Sequence, residues 1–215
     1  MSTHVGPLAL FDDVVVVLRR IEELEGEPTL PADLETAARM PRSHTREHLA
    51  GRALLRRLLR EVDGPDAATS PIATRERGQP YLVRRPETGV SVSHSGSWIA
   101  AGLCRRGAVG VDVQMPVSPS RRLLERCCGA SARSALSRLS VRHREIEFGW
   151  IWTVQEACVK AVGLGIAGRP WTIPVEVGQS HGLWRDVTWI SLRDLSSVPL
   201  SCARGHTVME RAPLC

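Results

Sequence analysis

The chain has 215 residues, 43% hydrophobic and 24% charged, which is enough for one large globular domain or two small ones. Its formal net charge of +5 and pI of about 9.2 call for an acidic partner, whether nucleic acid, a phosphorylated small molecule or an acidic protein. The six cysteines show neither CxxC nor Cys/His metal spacing, the N-terminus lacks a charged-then-apolar leader, and no apolar run reaches about 18 residues. These patterns argue against a zinc site, a disulfide framework, a signal peptide and a membrane-spanning helix, and point to a reducing cytoplasm.

Residues 11 to 20, with the valine run 14 to 17, read as a buried strand, followed by an acidic loop from 22 to 31. Residues 33 to 40 predict a short helix stopped by Pro41. A longer helix follows to about residue 62, with Ser43 as its expected N-cap and Leu49, Ala53, Leu54, Leu58 and Leu59 as its apolar face. RERGQP (75–80) carries the Gly and Pro of a hairpin-like connection. Val90 and Val92 alternate with Ser91 and Ser93 as a strand, expected to turn at residues 94 to 97. Residues 98 to 104 are a second strand and 108 to 114 a third. In the third, Val109, Val111 and Val113 share one face, and Asp112 and Gln114 share an outer one.

The stretch from 115 to 144 predicts short helices with an exposed basic surface. Residues 148 to 165 then read as a helix whose stripe Ile151, Val154, Cys158 and Ala161 faces a core. Glu156 and Lys160 stand on its other side, four residues apart and therefore neighbours. Such a pair by itself is a solvated ion pair contributing about 0.5 kcal/mol at most. Lys160, however, is the sole lysine among 28 basic residues, and a compact ammonium is the cation that can move its pKa and give up a proton. Beyond Gly168, segments 171–177, 183–192 and HTVME (206–210) look strand-like. The order strand, helix, strands thus occurs on each side of about residue 106.

The charge excess is clustered. Residues 39 to 60 hold seven arginines against Glu47, and residues 115 to 144 hold another seven against Glu125. Asp112 and Glu156 are an oxygen pair of the kind that holds Mg²⁺ together with substrate phosphates and water. The Ser93-His94-Ser95 run could cradle phosphate. A serine hydrolase is disfavoured because no serine has glycine two residues before and two after it. The first arginine cluster lacks the interleaved aromatics of a single-strand nucleic-acid site.

Taken in order, LAGRALLRRLL (49–59), RGQPYL (77–82), VSVSHSGSW (90–98), VGVDVQ (109–114) and WTVQEACVKAVGLGI (152–166) resemble the 4′-phosphopantetheinyl transferases of the larger, surfactin-synthetase-activating type. The resemblance implies an α/β (α+β) fold of two pseudo-symmetric subdomains, residues 1–106 and 107–215, with coenzyme A and a metal site in the cleft between them. It implies transfer of the phosphopantetheine arm of CoA to a serine of an acyl, peptidyl or aryl carrier protein, with release of 3′,5′-ADP. Mg²⁺ would be held by Asp112 and Glu156 with Gln114, Glu156 would act as base, and Lys160 would neutralise the leaving phosphate. Ser93, His94 and Ser95 would touch CoA phosphates, while Arg39, Arg42, Arg46, Arg75, Arg77 and Gln79 would lie along the nucleotide. The basic surface 121–144 would meet the acidic carrier. A cytoplasmic monomer with no nucleic-acid or membrane partner is expected. Three positions depart from the family pattern, each losing a charge: Gln79, Gln114 and Gln155. They leave open a weakened relative that binds CoA or carrier without turnover, and the arginine clusters alone leave open a basic nucleic-acid-binding module.

Overall fold

The computed structural model describes residues 5–205. In chain order it contains β1 (Val5–Leu10), β2 (Val14–Arg20), α1 (Pro31–Ala38), α2 (Arg42–Asp63), α3 (Pro65–Ala68), β3 (Ile72–Thr74), β4 (Pro80–Leu82), β5 (Gly89–Ser95), β6 (Trp98–Cys104) and β7 (Ala108–Val113). There follow α4 (Arg121–Cys127), α5 (Ala130–Ser137), α6 (Val141–Ala161), β8 (His181–Trp184), β9 (Val187–Ser191) and β10 (Leu200–Gly205). Two antiparallel four-stranded sheets result, ordered β1-β2-β6-β5 and β7-β10-β9-β8, with β3 and β4 as a separate hairpin. The wiring repeats: β2 leads through α2 to β5 and β6, and β6 returns to pair with β2; β7 leads through α6 to β9 and β10, and β10 returns to pair with β7. This is the expected mixed α/β class.

Side-chain periodicity explains the stacking. Helix α2 lays Leu54, Leu55, Leu58 and Leu59 on Val17, Ile99, Ala101 and Leu103 of the first sheet. Helix α6 lays Ile151, Val154, Ala157 and Cys158 on Val187, Trp189 and Ala203 of the second. Between the sheets, Val14, Val16, Leu18 and Ala100 meet Val109, Val111, Val113, Leu200 and Cys202. The order of layers is therefore helix, sheet, sheet, helix, and each fully buried aliphatic side chain contributes about 1.5–3 kcal/mol of transfer free energy. Gly110 permits the closest approach: a Cβ there would lie 2.0 Å from the Ala157 carbonyl oxygen, so β7 rests directly on the backbone of α6.

Several local expectations are corrected. Helix α2 begins two residues early, with Pro41 as N-cap and no side-chain cap, so Ser43 lies inside the helix; the Pro41 carbonyl instead accepts from the His44 amide and the Thr45 hydroxyl. Leu49 is only half-buried. His94 and Ser95 do not turn but continue β5, paired with Ile99 and Trp98, and the turn narrows to Gly96 and Ser97. Residues 171–177 form no strand, whereas β1 and β10 were not anticipated. The span 183–192 splits into the hairpin β8–β9. Asp112 is not on an open face: α6 covers it, leaving it 6% exposed. HTVME lies outside the described residues. Among the described residues no helix is long and apolar enough to cross a membrane.

Candidate functional site

Where the free edge of β7 meets β5 and the C-terminal half of α6, the chain assembles a connected polar group. The Lys160 ammonium donates to Asp112 Oδ1 (2.6 Å), to Ser93 Oγ (3.0 Å) and to the Val111 carbonyl (3.2 Å). The Ser93 hydroxyl donates to the same Asp112 Oδ1 at 2.7 Å and accepts from the Val113 amide at 3.3 Å. Lys160 therefore pairs with Asp112 on the neighbouring strand, not with Glu156 one turn away as helix spacing suggested. The close packing at Gly110 explains why: it draws α6 within lysine reach of β7.

Glu156 lines a cavity of about 240 Å³ with Lys160, Ser91, Val92, Arg77, Gln79 and the glycines that follow α6. Burial, and secondarily the Asp112 charge, push its carboxyl up to about 7, with Lys160 opposing. Its Oε1 is buried and accepts no hydrogen bond. A carboxylate oxygen left without a donor costs free energy unless something occupies it, and Asp112 is near enough to act on it through its charge. Asp112 Oδ2 receives no donor among the described residues, and Gln114 spends its amide N–H on the Met115 carbonyl, which leaves its own oxygen available. The two carboxyl groups, Asp112 and Glu156, fit a hard divalent ion such as Mg²⁺, whereas Gln114 lines neither this cavity nor the larger one beside it. Among the described residues no group of three His, Cys, Asp or Glu side chains could enclose a metal, so substrate oxygens and water would have to complete the shell.

A second cavity of about 380 Å³ adjoins the first, sharing Gly78, Pro80 and Val92 with it. His94 reaches it from β5, its Nδ1 3.6 Å from Glu47 Oε2. Helix α2 supplies His44, Glu47, His48, Gly51 and Arg52, an i, i+3, i+4, i+7, i+8 face that sequence reasoning passed over in favour of the leucine face. Burial, and then the Arg52 charge, hold the His48 imidazole below its usual range, and its Nε2 is buried without a partner. Behind it Arg52 and Arg56 are anchored on the buried Asp33, which accepts two hydrogen bonds from Arg56 at 2.6 and 3.1 Å.

The remaining expected residues divide. Gln79 sits at the site, its amide donating across the cleft to the Lys160 carbonyl (3.3 Å) while its buried Oε1 stays unpartnered. Arg77 lines the smaller cavity. Arg75 stacks over Tyr81 at 4.8 Å and lies outside both of these cavities. Arg39, Arg42 and Arg46 are exposed and line neither cavity, and Arg46 is bound to Glu22 and Glu25. The Ser93 hydroxyl has its one proton and both lone pairs engaged inside the protein, so it is not free to donate to a phosphate. Ser95 accepts from the Met115 amide at 2.9 Å. Gln155, expected beside the base, is turned into the core, donating to the Cys127 and Ile173 carbonyls. It therefore does not act on Glu156 by replacing a cation.

Residues 108–202 match the family model of the 4′-phosphopantetheinyl transferase superfamily. The chain is 31% identical to the 4′-phosphopantetheinyl transferase AcpT of Escherichia coli O157:H7 over 84% of its length and 87% of that protein. It is 26% identical to 4′-phosphopantetheinyl transferase psf-1 of Bacillus pumilus and 23% identical to 4′-phosphopantetheinyl transferase Sfp of Bacillus subtilis, over 57% and 55% of its own length. Those two matches span about half of the relatives, 52% and 53%. From the site and these likenesses, the chain belongs to the 4′-phosphopantetheinyl transferase superfamily.

Proposed function

We propose that the protein is an Mg²⁺-dependent 4′-phosphopantetheinyl transferase of the larger, surfactin-synthetase-activating type, built from subdomains 1–106 and 107–215. It moves the phosphopantetheine arm of CoA to a serine of an acyl, peptidyl or aryl carrier protein and releases 3′,5′-ADP. The observation that carries this reading is the meeting of Glu156 and Lys160 at one cavity, with Asp112 held to Lys160 behind them and a buried Glu156 oxygen without a hydrogen-bond partner. Bound by Asp112 and Glu156 with Gln114, Mg²⁺ would neutralise the pyrophosphate charge. Glu156 would take the proton of the carrier serine, directly or through water, as the serine oxygen bonds to phosphorus and the 3′,5′-ADP oxygen departs. Lys160 places a fixed positive charge where that leaving group develops its negative one. His94, with Arg77 and Gln79 at the neighbouring walls, suits the CoA phosphates and nucleotide.

The exposed side chains of Arg121, Arg122, Arg126, Arg138 and Arg142 form the surface for an acidic carrier. Its action is placed in a reducing cytoplasm, the compartment in which free buried cysteines such as those described persist. The direct test is incubation with CoA, Mg²⁺ and apo carrier proteins of fatty-acid, polyketide and peptide type. A mass gain of one phosphopantetheine is expected on at least one. No gain on any of them refutes the assignment.

A further inference from the structure

The edge of β7 that turns away from β10 has no strand partner, yet its amides are not left open. The Val111, Val113 and Met115 amides donate to the hydroxyls of Ser91, Ser93 and Ser95, at 3.0, 3.3 and 2.9 Å. Period two puts these serines on one side of β5 and the matching amides on one edge of β7 and of the chain that continues it to Met115, so side-chain oxygens replace the carbonyls of a missing strand. The three bonds form a seam between the two sheets, which no backbone ladder joins.

Only the middle rung does more. Ser93 also donates to Asp112 Oδ1 and accepts from Lys160, so one hydroxyl of the first sheet ties the carboxylate and ammonium of the second. An aspartate whose Oδ1 is held by two donors keeps one rotamer, with Oδ2 left for a metal or phosphate-bound water. We propose that Ser93 is a positioning residue rather than a phosphate contact: through the seam it fixes Asp112 for metal binding and makes that binding depend on the register of β5 against β7. This rests on the transferase reading above for the identity of the metal and ligand, but not for the seam.

The test compares S93A, S93T and T153A in the full chain. Thr153 forms a buried hydroxyl pair at 2.8 Å with Ser201, which stands opposite Asp112 across β7 and β10, so T153A removes a buried hydroxyl bond next to Asp112 without touching its carboxylate and controls for loss of stability and of local packing. CoA binding is followed by calorimetry across an Mg²⁺ titration. S93A is expected to raise the Mg²⁺ concentration for half-maximal CoA binding by about tenfold or more, the usual cost of losing a group that orients a metal ligand. S93T should restore most of it, and T153A should leave it within about twofold of the parent. Equal Mg²⁺ requirements in S93A and T153A would overturn the positioning role. Amide hydrogen exchange provides the readout that needs no ligand: Val113 should lose at least about tenfold protection in S93A and none in T153A. Unchanged Val113 protection in S93A would overturn the seam. If the parent bound no CoA at any Mg²⁺ concentration while Val113 responded as stated, the transferase reading and the metal role would fall and the seam would stand.

Discussion

Glu156→Gln should flatten the dependence of stability on pH in the metal-free protein. The carboxyl is pushed from 4.5 to about 7 by burial and by Asp112, so the folded state holds its proton more tightly than the unfolded chain does. A group of that sign gives its full stabilisation below the unfolded value near 4.5 and loses it as pH rises through about 7. At about 1.4 kcal/mol per pH unit the ceiling is about 3 kcal/mol. Glu156 is not wholly enclosed, and solvent screening reduces that figure to roughly 1–2 kcal/mol. Glutamine keeps the shape and cannot ionise. Urea unfolding with chelator present, followed by tryptophan fluorescence at pH 5 and pH 8.5, should show parent and variant differing by a larger amount at the higher pH. There the variant should be the more stable by roughly 1–2 kcal/mol relative to its standing at pH 5. Parallel pH profiles for the two proteins would show that the Glu156 environment is not the one described, and the argument for a buried, ligand-seeking carboxylate would be lost.

Other outcomes follow from the same geometry. Lys160→Met leaves the nearly buried Asp112 without its cation; it should lower stability by about 1–3 kcal/mol in denaturant titration, discounted for the partial exposure of the lysine, and abolish nearly all transfer. Stability equal to the parent would remove the structural half of that role. Asp33→Ala strands two buried guanidinium groups, Arg52 and Arg56, and should cost about 3–5 kcal/mol in the same assay, with Asp33→Asn recovering only part. Gly110→Ala drives a methyl into the Ala157 carbonyl and should lower the thermal midpoint by an amount equivalent to about 3 kcal/mol or more. Reversing Arg122, Arg126, Arg138 and Arg142 to Glu should slow carrier modification by about tenfold at low salt through the association rate, with the difference shrinking as salt rises. A salt-independent difference would place the carrier elsewhere.

Much of the fold was legible in local chemistry. The valine alternation of β7, the leucine face of α2 and the apolar stripe of α6 are periodic signals that burial merely reads out. The Asp112–Glu156 pairing was legible as chemistry, an oxygen pair suited to Mg²⁺, and the structure sets the two acids near enough for Asp112 to raise Glu156. Strands β1 and β10 carry no strict alternation: Gly6 and Pro7 interrupt β1, and the polar residues of β10, Ser201 and Arg204, are three apart rather than two. Residues 171–177 looked like a strand because their apolar residues pack on α6 without laddering.

The sequence by itself determined which side chains could do chemistry: one lysine, two acids, a histidine and the two serines that flank it. Tertiary structure decided their partners. It turned Gln155 into the core, set Lys160 on Asp112 instead of Glu156, spent Arg46 on loop acids and gave the serines to an unpaired strand edge. The physical reason is one of range. Periodicity records which way a residue points within its own element, whereas ion pairs and seams depend on the approach of elements far apart in the chain. Here that approach is set by one glycine, Gly110, at which β7 lies against the backbone of α6.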